Sequence, residues 1–209
     1  SAIILAGGRS SRMGRDKAAL PFGSVTILER IVAELERHFE EIIVVAAPAA
    51  IAQSSASAGF HLRPRVTLLH DNAPYRGPVE ALARGLEHAG DPIVFACSCD
   101  LPLVNGRVAT ALCAMLAGYD AVIPEIAGRL QPLHAVYRRA TAGAALHAMQ
   151  AEGERRLTAL ALRLRVRRVG EAELRPLDPD LLSLLNVNTP EEYSKALRHV
   201  GRHGKREES

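Results

Sequence analysis

Tryptophan is absent from this chain, and phenylalanine and tyrosine occur four times each. Aromatics at 4% leave little from which to build a stacking platform for bases. A surplus of charge of one sign is missing as well. A formal net charge of +3 is not the basic, aromatic-studded face of a nucleic-acid binder. No apolar run is long enough to cross a bilayer, so neither nucleic acid nor membrane is expected as a partner. Cysteine occurs only at Cys97, Cys99 and Cys113. An odd number, two of them inside an apolar run, excludes a disulfide framework and points to buried thiols in a reducing compartment. Ala2 to Leu5 lead straight into glycines without the pattern of a secretory leader, and the expected location is the cytoplasm. Signatures of other enzymes are missing too. There is no G-x-S-x-G, no Ser/His/Asp arrangement, no glycine followed by Lys-Ser/Thr, and no G-x-G-x-x-G. The eight histidines lack metal-ligand spacing, and Cys97-x-Cys99 has no second Cys/His pair to complete a thiolate site.

What is present is a pattern of short apolar runs alternating with helical periods. At 209 residues and 48% hydrophobic content the chain can bury a full core as one domain. That domain is expected over residues 1–200, with a polar, frayed tail over 201–209. Strands are predicted at Ala2–Ala6, Ile42–Ala46, Val66–His70, Ile93–Cys99, Ala121–Ile123 and Leu133–Tyr137. Helices are predicted at Ile27–Phe39, Pro78–His88, Gly106–Leu116, Thr141–Met149 and Pro190–His199. The last has a capping residue in Asn188 or Thr189, proline in its first turn, and Glu191 and Glu192 at its positive end. Ala49–Gly59, rich in Ala and Ser, reads as a loop. The alternation implies the α/β class, a Rossmann-like three-layer α/β/α arrangement around a mostly parallel sheet. Such sheets bind ligands at the carboxyl ends of their strands.

The first strand runs into "ILAGGRSSRMGRDKAAL", Ile4 to Leu20. Gly7 and Gly8 let backbone N–H groups approach an anion, while Ser10, Ser11, Arg12 and Lys17 add hydroxyls and positive charge. A turn with solvated cations would need no such combination, and the stretch reads as a phosphate loop. Asp100 is the first acidic residue after the run Ile93 to Cys99, at a strand end where a sheet of this kind binds its ligand. A hard carboxylate there suits Mg²⁺, although Asp100 could equally start the turn toward Pro102. Asp71 ends the third strand, ahead of Gly77 and Pro78, and is otherwise an ordinary turn residue. Arg155 and Arg156, after Glu152-Gly153-Glu154, read as exposed charges at a helix start.

The opening loop, with "HDNAPYRGPVEALARGL", "CSCDLPLV", "QPLHAVY", "EGERRLTAL" and "NVNTPEEY" in that order, resembles the molybdenum cofactor guanylyltransferases. The likeness spans almost the whole chain and implies the nucleotide-diphospho-sugar transferase fold. It implies transfer of GMP from GTP to the terminal phosphate of (Mo-)molybdopterin, with release of pyrophosphate and Mg²⁺ as cofactor. The implied nucleotide site comprises Leu5, Ala6, Gly7, Gly8, Lys17, Asp71, Gly77 and Asp100, and the implied catalytic set is Arg12, Lys17 and Asp100. By the same resemblance Asp100 and Asn188 are metal ligands, and Arg155 and Arg156 receive the pterin's phosphate. Its partners would be GTP, molybdopterin, and transiently the proteins that deliver molybdopterin or mature molybdoenzymes. The chain departs from the family at Ala47-Pro48, where relatives carry asparagine, and at Gly77-Pro78-Val79-Glu80-Ala81, where they read Gly-Pro-Leu-Ala-Gly. Gly7 stands where cytidylyl relatives have alanine, and the smaller residue leaves space for a purine. Cytidylyl or sugar-1-phosphate transfer is the alternative within this chemistry. An idle nucleotide-binding or cofactor-handover module is the alternative outside it, and retention of both Lys17 and Asp100 speaks against that.

Overall fold

The computed structural model describes residues 1–6, 17–46, 63–70 and 77–203. Ten strands and six α-helices are assigned among them. The strands are β1 (Ala2–Ala6), β2 (Pro21–Phe22), β3 (Val25–Thr26), β4 (Ile42–Ala46), β5 (Val66–His70), β6 (Ile93–Ser98), β7 (Ala121–Ile126), β8 (Arg129–Leu130), β9 (His134–Arg138) and β10 (Val166–Gly170). The helices are α1 (Ile27–Leu35), α2 (Pro78–His88), α3 (Gly106–Ala114), α4 (Arg139–Ala151), α5 (Glu171–Leu174) and α6 (Pro190–His203).

The central sheet runs β10-β7-β9-β6-β1-β4-β5, with β8 paired to β7. β1 pairs in parallel with β4 and β6, β4 with β5, and β7 with β10. β9 is antiparallel to both β6 and β7. The sheet is therefore mostly parallel, as the alternation of strands and helices implied. Side chains of a strand point to opposite faces in turn, and here both faces are covered. Ala2, Ile4 and Ala6 join one core with Ile31 of α1, Val108 of α3 and Ala196 of α6. Ile3 and Leu5 join the other with Leu82 of α2 and Leu146 of α4. Because every residue of β1 and β4 is buried, those strands read as continuous apolar runs.

Several boundaries differ from the sequence expectation. α1 stops at Leu35, because residues 36–38 turn. Phe39 still packs inward from that turn, stacked on Phe95 at 6.0 Å, which is why the apolar period carries past the helix end. α6 continues to His203, so the polar segment expected to fray from residue 201 is helical for three further residues. β10 was not anticipated, since Arg167 and Arg168 interrupt its apolar character. As an edge strand it carries them in ion pairs with Glu173 and Glu125, charges that discourage pairing with another chain. The Ala49–Gly59 loop lies outside the described residues. Cys97 and Cys99 are buried and Cys113 half-buried, and none of the three is in a disulfide. Burial pushes Cys113 up to about 11, so it is protonated at neutral pH and a poor metal ligand.

Candidate nucleotidyl-transfer site

β1 lies between β4 and β6, so the chain moves outward one way through β4 and β5 before returning to β6 on the other side. Doubly wound sheets bind ligands at such a reversal, which here falls at the carboxyl ends of β1 and β6. Leu5 is level with Ser98, and the Cys99 amide donates to the Leu5 carbonyl at 3.0 Å. The end of β1 and the Cys99–Asp100 turn therefore leave the sheet side by side. Gly7, Gly8, Arg12 and Asp71 lie outside the described residues.

The C-terminal part of the chain returns to these strand ends. The Val187 amide donates to the Asp100 carbonyl at 2.8 Å, which sets Asn188 beside the strand-end aspartate. Lys17, in a 3-10 helix over Lys17–Ala19, donates from Nζ to Asn188 Oδ1 at 2.7 Å. Lys17, Asp100 and Asn188 are thus drawn to one place, although they sit far apart in sequence.

Capping chemistry explains why Asn188 is available. Thr189 Oγ1 accepts the Glu192 amide at 3.2 Å, while Glu192 Oε2 accepts the amides of Asn188 at 2.7 Å and Thr189 at 3.0 Å. This reciprocal cap satisfies the first turn of α6 without the Asn188 side chain. The sequence left the cap open between the two residues; the structure gives it to Thr189. A second tie comes from Tyr193, whose hydroxyl donates to the Pro21 carbonyl and whose ring meets Phe22 edge-on at 6.1 Å. Glu192 and Tyr193 were missed as supports of the site. The T-x-x-E spacing at Thr189–Glu192 was the signal for the first, and nothing local announced the second.

Asp100 Oδ1 is shielded from solvent and has no hydrogen-bond partner. A buried carboxylate oxygen without a donor is costly unless a cation meets it, so this atom fits a divalent ion. Among the described residues no group of three or more His, Cys, Asp or Glu could hold a metal. An ion at Asp100 would take its remaining oxygens from neutral groups such as the Asn188 amide, from substrate or from water, as Mg²⁺ commonly does.

Gly77 precedes α2 at φ 103°. A Cβ there would meet nothing within 4 Å, so glycine is required by backbone conformation and not by space. Arg155 and Arg156 are exposed. Arg156 is bound to its neighbour Glu154, with Nη2 to Oε2 at 2.9 Å, and this guanidinium holds the Glu154 carboxyl down to about 2. Neither arginine is joined by these contacts to Lys17, Asp100 or Asn188.

Residues 2–168 match the model of the MobA-like NTP transferase domain. The chain belongs to the MobA-like NTP transferase family. A probable molybdenum cofactor guanylyltransferase of Chloroflexus aggregans is 34% identical over 96% of this chain and 95% of its own length. One from Methanosarcina mazei is 32% identical over 96% and 91%. Among solved structures, molybdopterin-guanine dinucleotide biosynthesis protein A from Archaeoglobus fulgidus superposes with a TM-score of 0.81 at 24% identity, covering 96% of this chain and 98% of that one. That likeness establishes the shared fold, and membership in the MobA-like NTP transferase family makes the chain a nucleotidyltransferase.

Proposed function

We propose that this MobA-like protein transfers GMP from GTP to the terminal phosphate of molybdopterin, giving the guanine dinucleotide and pyrophosphate. The observation that carries the reading is the meeting of Lys17 and Asn188 beside Asp100 at the carboxyl ends of β1 and β6. Names borne by relatives at 32–34% identity support the choice of substrates.

The attacking group is a phosphate oxygen of the acceptor, already an anion near neutral pH, so no strong base is needed. The bond formed joins that oxygen to the α-phosphorus of GTP, and the bond broken releases pyrophosphate with its electron pair. The protein's contribution is alignment and neutralisation of charge. The Lys17 ammonium carries three donors, so it can keep its bond to Asn188 Oδ1 and still turn N–H groups toward the leaving pyrophosphate. The carboxylate of Asp100 would hold Mg²⁺, which supplies Lewis-acid charge to the phosphates when bound. Arg12, Gly7, Gly8 and Asp71 are assigned with the phosphate and nucleoside contacts on the sequence alone. Arg155 and Arg156 remain proposed receivers of the pterin phosphate, Arg156 on condition that it leaves Glu154.

The test is pyrophosphate release from GTP, and in parallel from CTP, with molybdopterin or a sugar 1-phosphate as acceptor, and mass spectrometry of the product. Release that requires GTP and molybdopterin together is the expected result. Release with CTP alone, or only with the sugar phosphate, overturns the assignment of substrates.

A further inference from the structure

A cleft of about 680 Å³ lies between α1, α3 and α6, and its lining includes none of Lys17, Asp100 and Asn188. Its volume falls in the range of small-molecule sites. Three arginines converge on it, Arg30 and Arg37 from α1 and the turn that follows, and Arg107 from the first turn of α3. His38 and His199 line it as well. The two carboxylates that share the cleft are engaged by backbone amides. Glu34 accepts from Gly106 at 2.9 Å, and Asp178 accepts from Leu182 at 3.0 Å and Ser183 at 2.8 Å. Glu34 also faces Arg37 and His38 at 3.6 and 3.9 Å.

Cation therefore exceeds anion in this cleft even with both imidazoles neutral. Arg30 lies over the Phe22 ring at 5.7 Å and donates from Nε to the Pro102 carbonyl at 3.1 Å. Burial lowers its pKa more than Glu34 raises it, yet a guanidinium does not give up its proton in a protein. The His38 ring is clamped at the amino end of α3, where any Cβ on Gly106 would come within 2.0 Å of it. A separate observation points to an absent acceptor. Ser183 lines the same cleft and is 1% exposed, but its Oγ has no hydrogen-bond partner. A buried hydroxyl left unpaired is costly, and an acceptor from outside the chain removes that cost.

We propose that this cleft is a second binding site, for a small organic phosphate. The phosphate lies among Arg30, Arg37 and Arg107 and accepts from Ser183, and the neutral body rests on Leu103, Val104 and Leu182. A phosphate monoester supplies several acceptor oxygens at once, which suits guanidinium forks converging from two helices. The apolar wall is the part that inorganic phosphate cannot use.

Titration of ¹⁵N-labelled protein with inorganic phosphate and with glycerol 3-phosphate, at constant ionic strength, tests this. Saturable shifts of the Asn105, Arg107 and Ser183 amides are expected, with tighter binding of the ester. The same shifts are expected in Lys17→Ala, whose substitution lies outside the cleft. Arg107 is exposed, so Arg107→Gln should fold normally and weaken both ligands roughly tenfold, the effect of losing one charge-assisted hydrogen bond. Three results would each overturn the proposal: shifts confined to the surroundings of Lys17 and Asp100, affinities unchanged by Arg107→Gln, or equal affinity for the two probes.

Discussion

Lys17 Nζ and Asn188 Oδ1 are 2.7 Å apart across 171 positions of sequence. The contact joins the short helix that follows the glycine-rich segment to the entry of α6. Val187, bonded to the Asp100 carbonyl at 2.8 Å, holds that entry against the strand end. The two halves of the site are therefore assembled by the C-terminal part of the chain, not by β1 and β6 alone.

Replacing Lys17 by alanine should slow pyrophosphate release by roughly two to three orders of magnitude, the scale of losing one aligned donor at developing charge. Its effect on stability should stay within about 1 kcal/mol, since the hydrogen bond to Asn188 is only partly buried and modest in net terms. Single-turnover rates and urea titration measure the two. A rate near wild type would remove Lys17 from the transfer step.

Glu192→Ala should act by a different route. The carboxylate accepts two amides at the start of α6, and losing such a cap costs about 1 kcal/mol. The released Asn188 no longer presents its oxygen to Lys17, so kcat should fall while KM for GTP changes little. Glu192→Gln, which keeps one acceptor oxygen, should recover part of the loss. Equal kcat values in the alanine variant and the wild type would separate the cap from the site.

How far the sequence reveals this arrangement depends on the range of the cause. β1, β4, β5 and α2 have the ends expected from local pattern, because continuous apolar runs and the Gly77-Pro78 start are local signals. Asp100 stands out from sequence for a similar reason, as the first charge after a buried strand. Its partnership with residues 187–193 does not. The contacts of Lys17 with Asn188 and of Tyr193 with Pro21 depend on the last helix folding back over the first core. No periodicity encodes such a meeting. β10 was hidden by its arginines, whose ion pairs exist only once β7 and α5 are in place.

Asp100→Asn should test the metal assignment directly. The carboxamide keeps the shape of the side chain but cannot offer a charged oxygen at the position of Oδ1. The loss of several kcal/mol of charge stabilisation corresponds to roughly a thousandfold in rate. The concentration of Mg²⁺ giving half-maximal activity should rise together with that loss. Isothermal titration with Mn²⁺ in the presence of a non-hydrolysable GTP analogue gives a readout independent of turnover. Unchanged Mn²⁺ affinity in Asp100→Asn would place the ion elsewhere.

The behaviour of the fold in acid should be set in part by His134. It is 0% exposed, meets Phe95 edge-on at 5.3 Å, and neither ring nitrogen has a hydrogen-bond partner. Burial pulls its pKa from 6.5 down to about 4, against a smaller upward pull from Asp178. As pH falls through 6.5 the unfolded chain takes up a proton that the folded chain refuses until about pH 4. Stability must then decline across that window by on the order of 3 kcal/mol and level off below it, as far as this group is concerned. His134→Leu removes the proton uptake while keeping an apolar side chain against Phe95. Urea unfolding of both proteins from pH 7 to pH 4 should show the wild type losing more stability than the variant, with the difference accumulating between pH 6.5 and 4. Parallel curves would mean that the imidazole is hydrated and titrates in the native state as it does in the unfolded one.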